Sequence, residues 1–155
     1  RLYKLEDKSD SLPMPDTLIL HPGTWYGMLY YDAFPAQIKG RNSYLLLGAD
    51  YNNQLTKKRI IDVLTIQDEG LLFGADIFVT KTGIHRRVVY EYSARVSMSL
   101  KYEATKNRIV LDHLSPSQLK YKDKYEHYGP DFSYDAFELK NNRWILVENI
   151  DMRNQ

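Results

Sequence analysis

Leu45-Leu46-Leu47-Gly48-Ala49-Asp50 recurs as Leu71-Leu72-Phe73-Gly74-Ala75-Asp76, and the reading of this repeated stretch decides the fold. Each copy is a short apolar run closed by two small residues and a carboxylate. Such a run reads as a buried strand that bends or bulges where it leaves its sheet, because glycine tolerates backbone angles that other residues avoid. A second echo, Tyr31-Asp32-Ala33-Phe34 against Tyr134-Asp135-Ala136-Phe137, places a strand signature near each end of the chain. Both echoes describe antiparallel β structure, and neither describes chemistry.

Working outward, period-two alternation and short apolar runs mark further strands. Trp25 to Phe34 comes first and is expected to stop at Pro35, which has no amide to donate. A turn at Lys39-Gly40-Arg41-Asn42 leads into Ser43 to Ala49. Arg59 to Ile66 follows, and Asp68-Glu69-Gly70 turns the chain into Leu71 to Val79. Arg87 to Ala94 and Val96 to Tyr102 read as the cleanest strand pair, the second with Val96, Met98, Leu100 and Tyr102 opposing Ser97, Ser99 and Lys101. Ala104-Thr105-Lys106-Asn107 turns into Ile109 to His113. After a polar loop, Ser133 to Leu139 and Trp144 to Val147 flank Lys140-Asn141-Asn142-Arg143, where Asn-Asn accepts the left-handed angles of a tight hairpin. No segment sustains a helical period; Asn53 to Ile61 and Ser115 to Tyr121 each have room for one helical turn. The fold class is therefore all-β: a mostly antiparallel meander forming a twisted sheet, a sandwich or a half-open barrel. Thirteen tyrosines, five phenylalanines and two tryptophans suit pleated, half-buried surfaces before they suit any ligand.

Composition sets outer bounds. A chain of 155 residues fits one domain with a core of its own. Residues 1–22, with Pro13, Pro15 and Pro22 among charges, read as a linker or edge segment, and residues 23–155 as a single β-rich domain. The start at Arg1, without methionine or an apolar leader, suggests part of a longer precursor. Lys plus Arg is 21 against 20 for Asp plus Glu, so no net field draws the chain to nucleic acid or anionic lipid. No run approaches the roughly 18 apolar residues of a membrane helix. The absence of cysteine excludes disulfides, thiolate catalysis and Cys-ligated zinc. No cofactor is expected.

Four groups of residues carry possible chemistry. Asp50, Asn52 and Asn53 place oxygen ligands at a strand exit, as calcium prefers, but without the glycine or bidentate Glu of an EF-hand; ordinary turn chemistry explains them more simply. Asp112, His113, His127, Asp131 and Asp135 supply imidazoles and carboxylates for acid–base work or a metal. No nucleophile elbow, metalloprotease His pair or phosphate loop accompanies them. Asp62, inside an apolar strand, needs a partner: Arg86, Arg87 and Arg95 on neighbouring segments make a cross-strand ion pair the default, and a functional buried carboxyl with a raised pKa is the alternative that sequence leaves open. Tyr121, Tyr125, Tyr128, Phe132 and Tyr134, interleaved with Lys120, Lys122 and Lys124, offer an aromatic platform for a glycan or peptide.

Trp25-Tyr26-Gly27 with Tyr30-Tyr31, Leu46-Leu47-Gly48, Ile60-Ile61-Asp62-Val63-Leu64, Phe73-Gly74, Glu91-Tyr92-Ser93, Met98-Ser99-Leu100-Lys101-Tyr102, Asp112-His113-Leu114-Ser115-Pro116 and Tyr128-Gly129-Pro130-Asp131-Phe132-Ser133-Tyr134-Asp135 together resemble a family of uncharacterised exported β-rich proteins of Bacteroidetes, over about residues 25 to 153. The resemblance implies a periplasmic, outer-envelope or secreted location and brings no catalytic motif. The expected function is a non-enzymatic envelope domain that binds a protein, peptide or glycan, with Tyr125, Tyr128, Phe132 and Tyr134 as contacts. The alternatives are a hydrolase-like or metal-assisted enzyme using the Asp/His cluster, and a scaffold subunit assembling through a strand edge.

Overall fold

The apolar runs become strands in the computed structural model, which describes residues 1–38 and 40–153. In chain order the strands are Leu29–Ile38 (β1), Arg41–Asp50 (β2), Thr56–Gln67 (β3), Gly70–Phe73 (β4), Phe78–Thr80 (β5), Gly83–His85 (β6), Val88–Ser93 (β7), Leu100–Glu103 (β8), Arg108–Pro116 (β9), Tyr128–Lys140 (β10) and Arg143–Val147 (β11). Among the described residues helix occurs only as single 3₁₀ turns, and no helix is long and apolar enough to cross a membrane.

One sheet runs β1-β2-β3-β4, with β7 also on β3; the other runs β6-β5-β11-β10-β9-β8. Every pairing between these strands is antiparallel except β5 with β11. The sheets stack as a sandwich that does not close into a barrel. Between them lie Leu45, Leu47, Ile61, Val63 and Tyr92 of the first sheet, against Phe78, Ile109, Leu111, Phe137 and Trp144 of the second. The first sheet is covered on its outer face too, where Leu46, Ile60 and Phe73 meet Leu20, Tyr26 and Met28 of the N-terminal segment. Burial on both faces explains why β2 and β3 read as continuous apolar runs instead of alternating.

Residues 1–28 are fastened to that face. Leu20 exchanges two 2.8 Å backbone hydrogen bonds with Phe73, and the Gly27 amide donates to the Asp7 carboxylate at 3.0 Å.

The two repeated stretches diverge in use. Gly48 sits within β2 opposite Ile60, where Met28 packs so closely that a Cβ would fall 2.4 Å from its sulfur; the bulge is on the partner strand β1, between Tyr30 and Asp32. Gly74, at φ +104°, is where the chain leaves β4 and crosses to the second sheet. The expected strand Leu71 to Val79 is thus two strands in different sheets.

Three other expectations are corrected. Pro35 does not end β1, which continues to Ile38; the missing N–H is tolerated because β1 is an edge strand with a neighbour on one side only. Arg87 to Ala94 and Val96 to Tyr102 do not pair: β7 joins β3, and the following segment crosses to β9 of the other sheet, so the dry face of Met98 and Leu100 reflects the sandwich interior. Asn53 to Ile61 holds no helical turn, since the Asn53 side-chain Oδ1 accepts from the Leu55 and Thr56 amides and starts β3 directly. Of the turn expected at residues 39–42, Lys39 lies outside the described residues, as do residues 154 and 155 of the expected domain. The Asn141-Asn142 turn forms as read, with φ of +51° and +64°.

On the far edge of β3, β4 reaches back as far as Leu64 and β7 starts opposite Ile61, leaving Asp62 and Val63 in a gap. The Arg87 guanidinium fills it. Its Nε donates to the Asp62 carboxylate at 3.1 Å, Nη2 to the Phe73 carbonyl at 3.1 Å, and Nη1 to the carbonyls of Pro15 and Leu18. Both charged side chains are wholly buried. Burial pushes the Asp62 carboxyl above its ordinary pKa, against the pull of Arg87 and of the Val63 amide. The expected cross-strand pair is present with Arg87, while Arg86 bonds the exposed Asp76 at 3.0 Å.

Candidate functional site

Where β7 borders the second sheet, two adjoining clefts of about 330 and 460 Å³ share Val89, Tyr90, Leu146 and Glu148 as a common wall. Their sizes suit a small-molecule or short-chain ligand.

The smaller cleft is built from β7, β9 and β10. Adjacent strands bring His113 of β9 beside Asp135 of β10, and Nδ1 lies 2.7 Å from the carboxylate. Asp135 also accepts the Asn149 amide at 3.0 Å, which fixes the carboxylate and through it the imidazole. Partial burial works to lower the His113 pKa, but the Asp135 hydrogen bond and the charges of Asp135, Asp131 and Glu148 outweigh it and hold the ring above its ordinary value. Opposite stands Tyr90, whose hydroxyl makes no hydrogen bond among the described residues. Burial, then the charges of Asp135 and Glu148, push that phenol well up. The 3₁₀ turn Tyr125–His127 packs on β7 and closes the cleft with Tyr125, whose ring lies 5.1 Å from that of Tyr128.

The larger cleft holds a second imidazole–carboxylate pair. His85 Nδ1 lies 2.7 Å from the Asp16 carboxylate, which also ties the N-terminal segment to the β5–β6 hairpin. Its Nε2 faces the Thr80 and Thr82 hydroxyls, each at 2.9 Å. Carboxylate, imidazole and hydroxyl in that order can move a proton. Here, however, the two hydroxyls bond each other at 3.1 Å and Thr80 accepts the Thr82 amide, which ties them into the turn. Lys81 reaches out of this turn to Glu148 at 2.9 Å.

Of the residues singled out from sequence, His113, Asp135, Tyr125 and Tyr128 meet in the smaller cleft. The others disperse. Asp131 holds the β10 bulge, accepting from the Ser133 amide and hydroxyl and from the Ser115 hydroxyl, and so turns Phe132 outward at φ +69° and 91% exposed. His127 stacks on Tyr121 at 3.8 Å, on the far side of Tyr128. Asp112 accepts the Ser99 amide at 2.7 Å and shares a different cleft with Tyr134. Asn52 donates to the Thr56 hydroxyl at 2.8 Å, Asn53 caps its own turn, and burial raises the Asp50 pKa against the pull of Lys58. No three His, Asp or Glu side chains among the described residues are placed to share a metal ion.

Sequence reasoning missed Asp16, His85, Tyr90 and Glu148. Thr80, Thr82 and His85 in one hairpin were a local signal, since their spacing brings three polar groups to one turn. Asp16 had none, because its partner is distant in the chain. No family model, curated protein or solved structure matches the chain.

Proposed function

We propose that the chain is a non-enzymatic binding domain of the cell envelope, and that its adjoining clefts hold a hydroxyl-rich glycan segment of its partner. One observation carries the reading: the imidazoles are engaged by carboxylates and the threonine hydroxyls by each other, while tyrosine rings and acids line the walls. Tyr90, Tyr125 and Tyr128 present ring surface for the apolar face of a sugar, and Glu148 and Glu91 present acceptors for its hydroxyls. The Tyr90 hydroxyl, without a hydrogen bond among the described residues, adds a polar group to the cleft lining.

Assembly through a strand edge is less favoured, because β1, the long edge strand, carries both a bulge and Pro35, which resist pairing. The enzymatic reading rests on the Asp16–His85–Thr80 chain alone.

Binding to fractionated envelope glycans and to peptides, followed by NMR, tests the proposal. The expected result is glycan-induced shifts at Tyr90, Tyr125 and Tyr128 that weaken in Tyr128→Ala. Retention of no partner, together with ester or glycoside turnover abolished in His85→Gln, would overturn it.

A further inference from the structure

A third cleft, of about 570 Å³, opens between the bulged part of β1, the start of β3 and the segment leading into β8. Arg59 points into it from β3, on the face that looks toward the second sheet. Its guanidinium lies 5.8 Å from the Tyr31 ring and 6.0 Å from the Tyr92 ring, which hold it from two sides. Tyr31 is itself fastened across the sandwich, since its hydroxyl donates to the Leu100 carbonyl. Yet the guanidinium has no carboxylate or carbonyl partner among the described residues, and Nη1 is buried with nothing to bond. The Tyr92 hydroxyl beside it is buried and unsatisfied as well. Fully satisfied polar groups are the rule inside proteins, so a positioned but unpaired guanidinium points to an acceptor that the chain does not supply.

The rest of the cleft narrows the class of acceptor. Lys101, exposed on the side of the segment opposite Met98 and Leu100, adds a second positive charge at the rim. Asp32 is the one acid in the lining; it is exposed, and its carboxylate accepts the Ala33 amide at 2.9 Å. Met98 and Leu100 supply an apolar wall. A planar guanidinium matches a carboxylate two bonds at a time, and an apolar wall favours a body that shuns water.

We propose that this cleft is a second binding site, independent of the glycan reading, for a small carboxylate carrying an apolar body, with Arg59 as its anchor and Lys101 as its outer charge. Benzoate is the probe, benzyl alcohol its neutral counterpart, and inorganic phosphate the arm that separates carboxylate recognition from general attraction of anions.

The full chain is titrated and followed by NMR at the Arg59 Nε–H and the amides of residues 99–102. Benzoate is expected to shift these signals together and to saturate, with benzyl alcohol and phosphate much weaker. Arg59→Gln should weaken benzoate roughly tenfold or more, as loss of a charge-assisted pair requires. Lys101→Glu, at an exposed position, should weaken it severalfold without touching the fold, and it stands as the test if Arg59→Gln does not fold. Absence of saturable shifts in the wild-type chain would overturn the proposal. So would equal benzoate affinity in Lys101→Glu and the wild type, or phosphate binding as tightly as benzoate.

Discussion

Two arginines enter the first sheet from opposite faces, and only one is satisfied. Arg87, beneath the N-terminal segment, gives its hydrogen bonds to Asp62 and to three backbone carbonyls and is fully buried. Arg59, on the interior face of β3, is held between tyrosine rings with no acceptor among the described residues. The first arrangement is what a fold builds to close a defect, here the gap between β4 and β7. The second is the arrangement on which the proposed carboxylate site rests. Both carry the same charge, and Arg59 is half-buried where Arg87 is fully buried; what separates their roles is the tally of acceptors.

Removal of Arg87 carries the largest expected effect. Arg87→Ala leaves Asp62 buried without its counter-charge and orphans the carbonyls of Pro15, Leu18 and Phe73. A loss of about 3–5 kcal/mol is expected in urea unfolding. The double variant Asp62→Leu/Arg87→Met should recover part of it, because replacing both charges removes the desolvation cost; a double variant as unstable as the single one would show that the carbonyl bonds dominate. Gly74→Ala attacks the same feature from the backbone. Its φ of +104° is strained for alanine, and the added Cβ would fall 2.9 Å from both Arg87 Nη2 and the Leu18 carbonyl. The expected cost is about 1–3 kcal/mol.

Much of this was legible in the letters. The repeated Leu-Leu-Leu-Gly-Ala-Asp stretch marked buried strands, and Asp62 amid isoleucines pointed to an ion pair as the default, which Arg87 supplies; only the structure separates that from a free functional carboxyl. What the letters hid were the decisions made between distant segments. Alternation in Val96 to Tyr102 shows which side chains are dry, but not that the strand before them belongs to another sheet. His113 and Asp135 were named as candidates, and strand pairing joins them; His127 was named with equal reason, and a stacking contact with Tyr121 takes it elsewhere. Arg59 did not stand out in the sequence because its distinguishing property is the lack of an acceptor, which no local pattern encodes.

Arg59 itself sharpens the contrast. Arg59→Leu should change stability by less than about 1 kcal/mol, or raise it, because no hydrogen bond is lost and an unsatisfied buried donor is removed. Equilibrium unfolding of this variant beside Arg87→Ala measures the difference directly. A loss near that of Arg87→Ala would mean that the tyrosine rings alone make Arg59 structural.

His113 provides the smallest effect and a case between the two, being charged, paired and about a third exposed. With its pKa raised in the fold, the Asp135 pair contributes stability that is complete below the unfolded value near 6.5 and is lost as pH climbs through the raised value. The stability gap between wild type and His113→Gln should therefore be larger at about pH 5 than at about pH 9, by no more than about 1 kcal/mol once solvent screening is counted. An NMR titration of the His113 ring checks the sign independently, with a midpoint expected above 6.5. A gap that widened toward alkaline pH would mean that neutral imidazole is the form the fold prefers. Asp135 would then be serving the Asn149 amide more than the ring, and the cleft would present His113 as a base instead of a paired cation.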